Sequence, residues 1–253
     1  MLILGKNKNV EPKSSSISPS MNKILEVTEL AIVIATPNYD PTLLHPSFLS
    51  GSGIIPRDWT LTQQPTISNS GSALNYSNGI NLAATRDRVM FIESLLSKDN
   101  LDIPQIAHRY LNTLPNLPYT GAGLNFRGYI SFSNEPEGAR QYLFETFFAS
   151  RPWQNQGTAP VQAGINLVFT FEETKLNLSI NEAQLQLPEQ EKVSVVLFTG
   201  NFACEPVSQQ SPQERLKEIQ QFISGWEENL DTYEKVVNSF VEETQTSELS
   251  VLG

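Results

Sequence analysis

The chain has 253 residues, a formal net charge of −10, and 39% hydrophobic and 9% aromatic residues, the balance of a globular protein long enough to bury a real core. An acidic surface repels phosphate backbones and anionic lipid, which weighs against a general nucleic-acid or membrane-surface role. One cysteine, Cys204, excludes an internal disulfide and a cysteine-cluster metal site, and there is no run of about 18 apolar residues to span a bilayer.

Residues 1–20 contain Ser14-Ser15-Ser16 and Ser18-Pro19-Ser20 without apolar periodicity. Such a segment cannot offset its ordering entropy, so a disordered extension is expected there. Folded-type patterning begins after Met21, which makes Met21 a candidate start. The stretch Met1 to Val10 lacks the apolar core of a signal peptide, and a soluble, cytoplasmic protein is the expectation. A single α+β domain is expected over residues 21–243, with a flexible tail over 244–253.

The first strand reads from Leu30 to Thr36, rich in β-branched residues. A loop punctuated by Pro37, Pro41, Pro46 and Pro56 follows. Trp59 to Thr62 reads as a short second strand, and Ser68 to Asn78 as turns around Asn69-Ser70-Gly71 and Ser77-Asn78-Gly79. Ile80 to Ala84 and Val89 to Leu95 read as a hairpin. The spacing predicts a helix over Ile103 to Leu111, with Asp102 as N-cap and Pro104 in the first turn.

From Tyr119 a strand alternates Leu124, Phe126, Ile130 and Phe132 with Asn125, Arg127, Tyr129 and Ser131. A helix follows over Glu137 to Ala149. Ala163 to Phe171 and Lys175 to Asn181 alternate strictly, the mark of an antiparallel sheet with one face on the core and one face wet. In Lys192 to Phe202 the apolar set reads as Val193, Val195 and Leu197. Finally Ser211-Pro212-Gln213-Glu214 is a capping box, and Leu216, Ile219, Ile223, Trp226, Leu230, Tyr233, Val237 and Phe240 hold a heptad-like spacing to about Val241.

The fold class is therefore α+β: a broad, mainly antiparallel sheet with helices on one face and a long C-terminal helix. Gly79-Ile80-Asn81-Leu82 and Gly164-Ile165-Asn166-Leu167 are the same tetrapeptide, 85 residues apart. Two explanations are open, an internal duplication with pseudo-repeats 24–115 and 119–243, or chance among common strand residues.

No glycine-rich phosphate loop and no nucleophile elbow is present; Gly121-Ala122-Gly123 opens a strand. His45 and His108 lack a second ligand at i+3 or i+4, so no metal and no cofactor is expected. Cys204 has Glu205 beside it, which opposes thiolate formation. The adjacent pairs Glu172-Glu173 and Glu227-Glu228 read as solvated faces.

The wet sheet face carries the informative residues. Asparagine is depleted in strands, yet alternation places Asn81, Asn125, Asn166, Asn177 and Asn181 on that face with Arg127, Ser131, Thr170 and Ser179. Amides offer donors and an acceptor each. The candidate binding residues are Arg127, Asn125, Asn166, Asn177 and Asn181; the competing reading is a plain solvated face. Residues 211–253 hold three basic against nine acidic residues, so the last helix is acidic.

Three functions follow in order of preference. The first is a non-catalytic binding or assembly protein, with a protein partner met by the Asn/Arg face and the acidic helix. The second is a hydrolase in which Glu93, His108 and Arg127 converge. The third is a nucleic-acid sheet reader, which at topology level looks like the saddle of the TATA-binding proteins; the charge opposes it. The C-terminal helix is expected to dock on its own sheet through Ile223, Trp226, Leu230 and Tyr233. Glu227, Glu228, Asp231 and Glu234 would then stay in water, and Gly225 would mark a close backbone approach.

Overall fold

A computed structural model describes residues 24–95, 100–133, 135–186, 192–207 and 209–241. The expected N-terminal extension over residues 1–20 and the tail over 244–253 lie outside these residues. Among the described residues nine strands form one antiparallel sheet. They are β1 (Glu26–Ala35), β2 (Thr66–Ile67), β3 (Ser72–Asn75), β4 (Ile80–Ala84), β5 (Arg88–Ser94), β6 (Gly121–Phe132), β7 (Gly164–Thr170), β8 (Lys175–Leu185) and β9 (Val193–Cys204). Their spatial order is β2-β3-β4-β5-β1-β6-β9-β8-β7. The helices are α1 (Pro46–Gly51), α2 (Ile103–Thr113), α3 (Gly138–Phe147), α4 (Pro212–Ser224) and α5 (Trp226–Val241).

Period-two alternation builds the core. Leu30, Ile32 and Ile34 of β1, Val89 and Phe91 of β5, Leu124, Phe126 and Ile130 of β6, and Leu176, Leu178 and Ile180 of β8 are all buried on one face. The helices cover that face. Tyr110 of α2 meets Phe91 edge-on at 5.4 Å, and Tyr233 of α5 stacks on Phe126 at 5.7 Å. The opposite face carries no helix among the described residues, which is the arrangement expected of an antiparallel sheet with one solvated side.

The order of elements repeats. β1, α1, β3, β4, β5 and α2 run as strand, helix, three-stranded meander, helix, and so do β6, α3, β7, β8, β9 and α4. In the sheet the two sets lie as β3-β4-β5-β1 and, in reverse, β6-β9-β8-β7. The shared tetrapeptide does not mark this correspondence. Gly79 to Leu82 leads into β4, the second strand of its meander, whereas Gly164 to Leu167 opens β7, the first of its own.

Several local expectations are corrected. The proline-rich loop holds a short 3-10 turn over Pro41–Leu43 and the helix α1, each begun by proline in its first turn and capped by the residue before it. His45 is one of these caps, its Nδ1 accepting from the Ser47 amide at 3.1 Å. Trp59 to Thr62 is not a strand; it contributes one bridge, Leu61 to Tyr76. Ser68 to Asn78 holds β3, whose four residues are too short for alternation to stand out among turn residues.

On β9 the core side is Val196, Phe198 and Phe202, not Val193, Val195 and Leu197. The strand is central and apolar on both faces, which blurs its parity. The C-terminal helix is two helices, interrupted at Gly225, whose amide donates to the carbonyls of Gln221 and Phe222. No other element crowds that glycine: the nearest atoms a Cβ there would meet are the Phe222 carbonyl at 3.6 Å and, at 3.9 Å, Asn229 Nδ2 and the Gln221 carbonyl, all within four residues of it. The docking itself stands, with Ile223 and Tyr233 buried and Trp226 and Leu230 half-buried against the core. Glu227, Glu228 and Asp231 are exposed, while Glu234 is half-buried and its carboxyl is held above its ordinary value by burial and by Asp231.

Candidate functional site

Register arranges the residues of the open face into rows. One row crosses eight strands: Asn75 (β3), Asn81 (β4), Ile92 (β5), Ala31 (β1), Asn125 (β6), Asn201 (β9), Asn177 (β8) and Val168 (β7) are successive cross-strand partners. Five of the eight are asparagine, on a structure that disfavours asparagine. Hydrogen-bond demand within the fold accounts for only part of them. The Asn201 Nδ2 donates to Asn125 Oδ1 at 2.7 Å, which leaves donor and acceptor capacity on both amides. Asn75, Asn81 and Asn177 make no side-chain hydrogen bond to another described side chain.

The flanking rows are small or paired. One continues through Ala73, Ala83, Met90, Val33, Gly123 and Ala203. On the other side Glu29, Arg127, Thr199, Ser179 and Asn166 are successive partners. Arg127 Nη1 lies 3.3 Å from Glu29 Oε1, and the Tyr129 hydroxyl donates to Glu26 at 2.8 Å. Of the cations on this face, Arg127 is matched by Glu29 and Arg88 by Asp87, whose Oδ2 lies 2.6 Å from Arg88 Nη2, so the face is close to neutral. Beside the small row the surface dips into a groove of about 590 Å³, lined among others by Gly121, Gly123, Asn125, Asn201, Arg88 and Arg215.

All five sequence-predicted residues, Arg127, Asn125, Asn166, Asn177 and Asn181, share this face. Their environments differ. Asn166 and Asn177 are exposed, and Asn125 is tied to Asn201. Asn181 serves the fold itself. Its Oδ1 would lie 2.6 Å from a Cβ at Gly164, so its amide rests over that glycine, and its Nδ2 donates to Ser179 at 2.9 Å. Sequence reasoning missed Asn75 and Asn201. Asn75 sits in the segment read as turns. Asn201 was hidden by the reversed parity on β9; its signal was the alternation of Phe198 and Phe202 with Thr199 and Asn201.

Glu93, His108 and Arg127 do not converge. Glu93 lies buried on the core face of β5, where Oε2 accepts from the Asp102 and Ile103 amides at 2.8 and 3.0 Å. It thereby caps α2, a role expected of Asp102, whose side chain makes no capping bond. His108 faces α4, with Nε2 3.1 Å from Ser224 Oγ, and burial pushes its pKa down. Arg127 is on the opposite face of the sheet.

Cys204 is half-buried beside Glu218, and its pKa is raised to about 11 by burial and by that carboxylate, which keeps it a thiol at neutral pH. Among the described residues no three His, Cys, Asp or Glu side chains are placed to hold a metal ion, and no helix is long and apolar enough to cross a membrane. No protein-family model matches the chain, and comparison with curated proteins gives no match.

Proposed function

We propose that this is a non-catalytic binding protein whose open sheet face receives a polypeptide partner. The observation that carries the reading is the row of five asparagines aligned by register across the uncovered face. An amide both donates and accepts without charge, so an aligned row suits a partner offering neutral N–H and C=O groups. The small residues beside the row, Ala73, Ala83, Gly123 and Ala203, let such a partner approach the sheet closely. The near-neutral charge of the face favours a polypeptide over a nucleic acid, whose affinity comes mostly from phosphate neutralisation. The exposed carboxylates of Glu227, Glu228 and Asp231 on α5 form a separate acidic surface that would steer a basic partner.

Capture from host extract tests the reading, with three baits compared quantitatively. The row variant Asn81→Ala/Asn177→Ala/Asn201→Ala is expected to lose a polypeptide that both the native chain and the helix variant Glu227→Lys/Glu228→Lys retain. Identical capture by the native chain and the row variant would remove the face from the function. A gel shift with duplex DNA or RNA at low salt, abolished in the row variant, would instead establish the nucleic-acid sheet reader.

A further inference from the structure

The two edges of the sheet are built differently. At one edge β2 has only two residues, Thr66–Ile67, and a short edge strand offers little to pair with. At the other edge β7 runs for seven residues, Gly164–Thr170, in unbroken register with β8 from Gly164↔Asn181 to Thr170↔Lys175. Its sequence, GINLVFT, contains no charge and no proline. Edge strands are normally blunted by lysine, proline, a bulge or brevity, and β7 has none of these. Its outer flank, paired with no strand among the described residues, presents a row of backbone N–H and C=O groups.

Apolar side chains gather at the same end. Ile165, Leu167 and Phe169 point to the core side yet remain half-buried, because no strand among the described residues lies beyond them. Val168 is 65% exposed, Phe171 39% and Trp153 45%. These are three of the five large apolar side chains exposed among the described residues, so the exposure is concentrated rather than scattered. Trp153 belongs to a satellite cluster with Phe144 and Phe148, at centroid distances of 6.2 and 6.1 Å. Arg140 joins this cluster to the entry of β7: it sits over the Phe144 ring at 5.1 Å and donates to the Val161 carbonyl at 3.0 Å.

We propose that β7 is a strand-pairing seam between two copies of this chain. The sequence of β7 is self-complementary in antiparallel pairing. Centred on Leu167, a two-fold axis sets Leu167 against its own copy, Ile165 against Phe169, and Asn166 against Val168. Apolar residues thus meet apolar residues on the core face, and the closed two-fold contact consumes the edge rather than extending it.

The charge distribution suits the same partner. Glu172 and Glu173 lie past the end of β7, and the two-fold places them opposite Gln162 and Val161 of the other copy. They stand some ten residues along the strand direction from their own counterparts, roughly 33 Å at strand rise, well beyond the screening length of about 8 Å. A chain of net charge −10 therefore meets its copy across an uncharged line. Strand pairing alone falls short of the roughly 1,200–2,000 Å² of a stable interface. The adjoining Trp153, Phe144 and Phe148 cluster supplies the added apolar area.

Light scattering on the full chain, from about 1 to about 100 μM, tests the seam, since association follows mass action. The native chain is expected to become a dimer over that range. Asn166→Lys/Val168→Lys, at two exposed positions, is expected to stay monomeric and to melt, at every concentration, where the native chain melts at about 1 μM. A native chain that remains monomeric at the upper concentration, or a variant that dimerises like the native chain, overturns the proposal. If the variant fails to fold, amide exchange in the native chain decides: β7 amides gain protection with concentration while those of β8 do not change. Exchange in β7 that is indifferent to concentration overturns it equally. The seam does not depend on the open-face reading, since its readout is the state of the chain without any partner.

Discussion

The Tyr233 ring of α5 occupies the space that a side chain at Gly200 of β9 would need. A Cβ at Gly200 would come within 2.5 Å of Tyr233 Cδ2, and one at Gly128 on neighbouring β6 within 3.0 Å of its hydroxyl. The hydroxyl donates to the Phe198 carbonyl at 3.0 Å, and the ring stacks on Phe126. Two glycines on adjacent strands thus make the slot that seats the helix. Gly200→Ala is expected to cost roughly 1–3 kcal/mol by overpacking. The same substitution in a Tyr233→Ala background should cost much less, because the clash has gone. Urea unfolding of the four variants in this cycle measures both; equal costs in the two backgrounds would mean the slot is not what Gly200 provides.

Glu93 is buried and satisfies the first amides of α2 from a neighbouring strand. Removing it strands donors at Asp102 and Ile103, each worth about 1–3 kcal/mol when left unmade. Glu93→Ala is expected to destabilise by roughly 2–4 kcal/mol, and Glu93→Gln, which keeps an acceptor, by about 1 kcal/mol. A Glu93→Gln variant as unstable as Glu93→Ala would show that the charge at the helix terminus matters more than the hydrogen bonds.

Arg127 is expected to matter for binding and not for stability. Its side chain is 49% exposed and its partner Glu29 is 32% exposed, and ion pairs of that kind contribute about 0–1 kcal/mol. Arg127→Ala should leave the melting temperature nearly unchanged while weakening capture of the partner proposed for the open face. A large fall in melting temperature would show that the pair holds the β1–β6 junction.

The thiol of Cys204 ionises near pH 11 in the folded chain against 9.0 ordinarily. The folded state then binds more protons than the unfolded state between those values, so the stability that Cys204 contributes is fully present below pH 9 and is lost as pH rises towards 11. Thiolate absorbance should rise about two pH units later in native than in denaturant-unfolded chain. Glu218→Gln, which removes the nearest carboxylate, should bring the native titration earlier and speed alkylation at about pH 8.

How much was legible in the sequence follows the strength of each local pattern. Strict alternation in β6, β7 and β8 gave the sheet, its faces and all five candidate residues on one side. Leu178 and Ile180 are buried as alternation requires, but Leu167 and Phe169 are only half-buried, because no pattern within β7 says that it is an edge. β9 was misread in parity because its two faces are both apolar near Val195 and Val196. The capping of α2 by Glu93 is a contact between β5 and a helix start nine residues on, invisible to rules that look for the cap in the preceding residue. The asparagine row depends on register, which is set between strands and not within them.

Gly225 gives the last prediction. A glycine inside a helical pattern costs about 1 kcal/mol relative to alanine, which raised the expectation of something packed against it. The structure places it instead where α4 ends and α5 begins, with φ −82° and ψ 18°. That conformation is open to any residue, and the nearest atom a Cβ there would meet is the Phe222 carbonyl oxygen at 3.6 Å, ordinary van der Waals distance. The glycine is thus not required by space or by backbone angle. Gly225→Ala should then act mainly on the unfolded chain, whose freedom it reduces, and stabilise by about 0.4–1 kcal/mol. The seating of Ile223 and Tyr233 on either side should be unaffected, so the midpoint of urea unfolding should rise with an unchanged slope. Destabilisation by Gly225→Ala would mean that the break between α4 and α5 needs the glycine, and that the two helices must bend there for Tyr233 to reach its slot between Gly128 and Gly200.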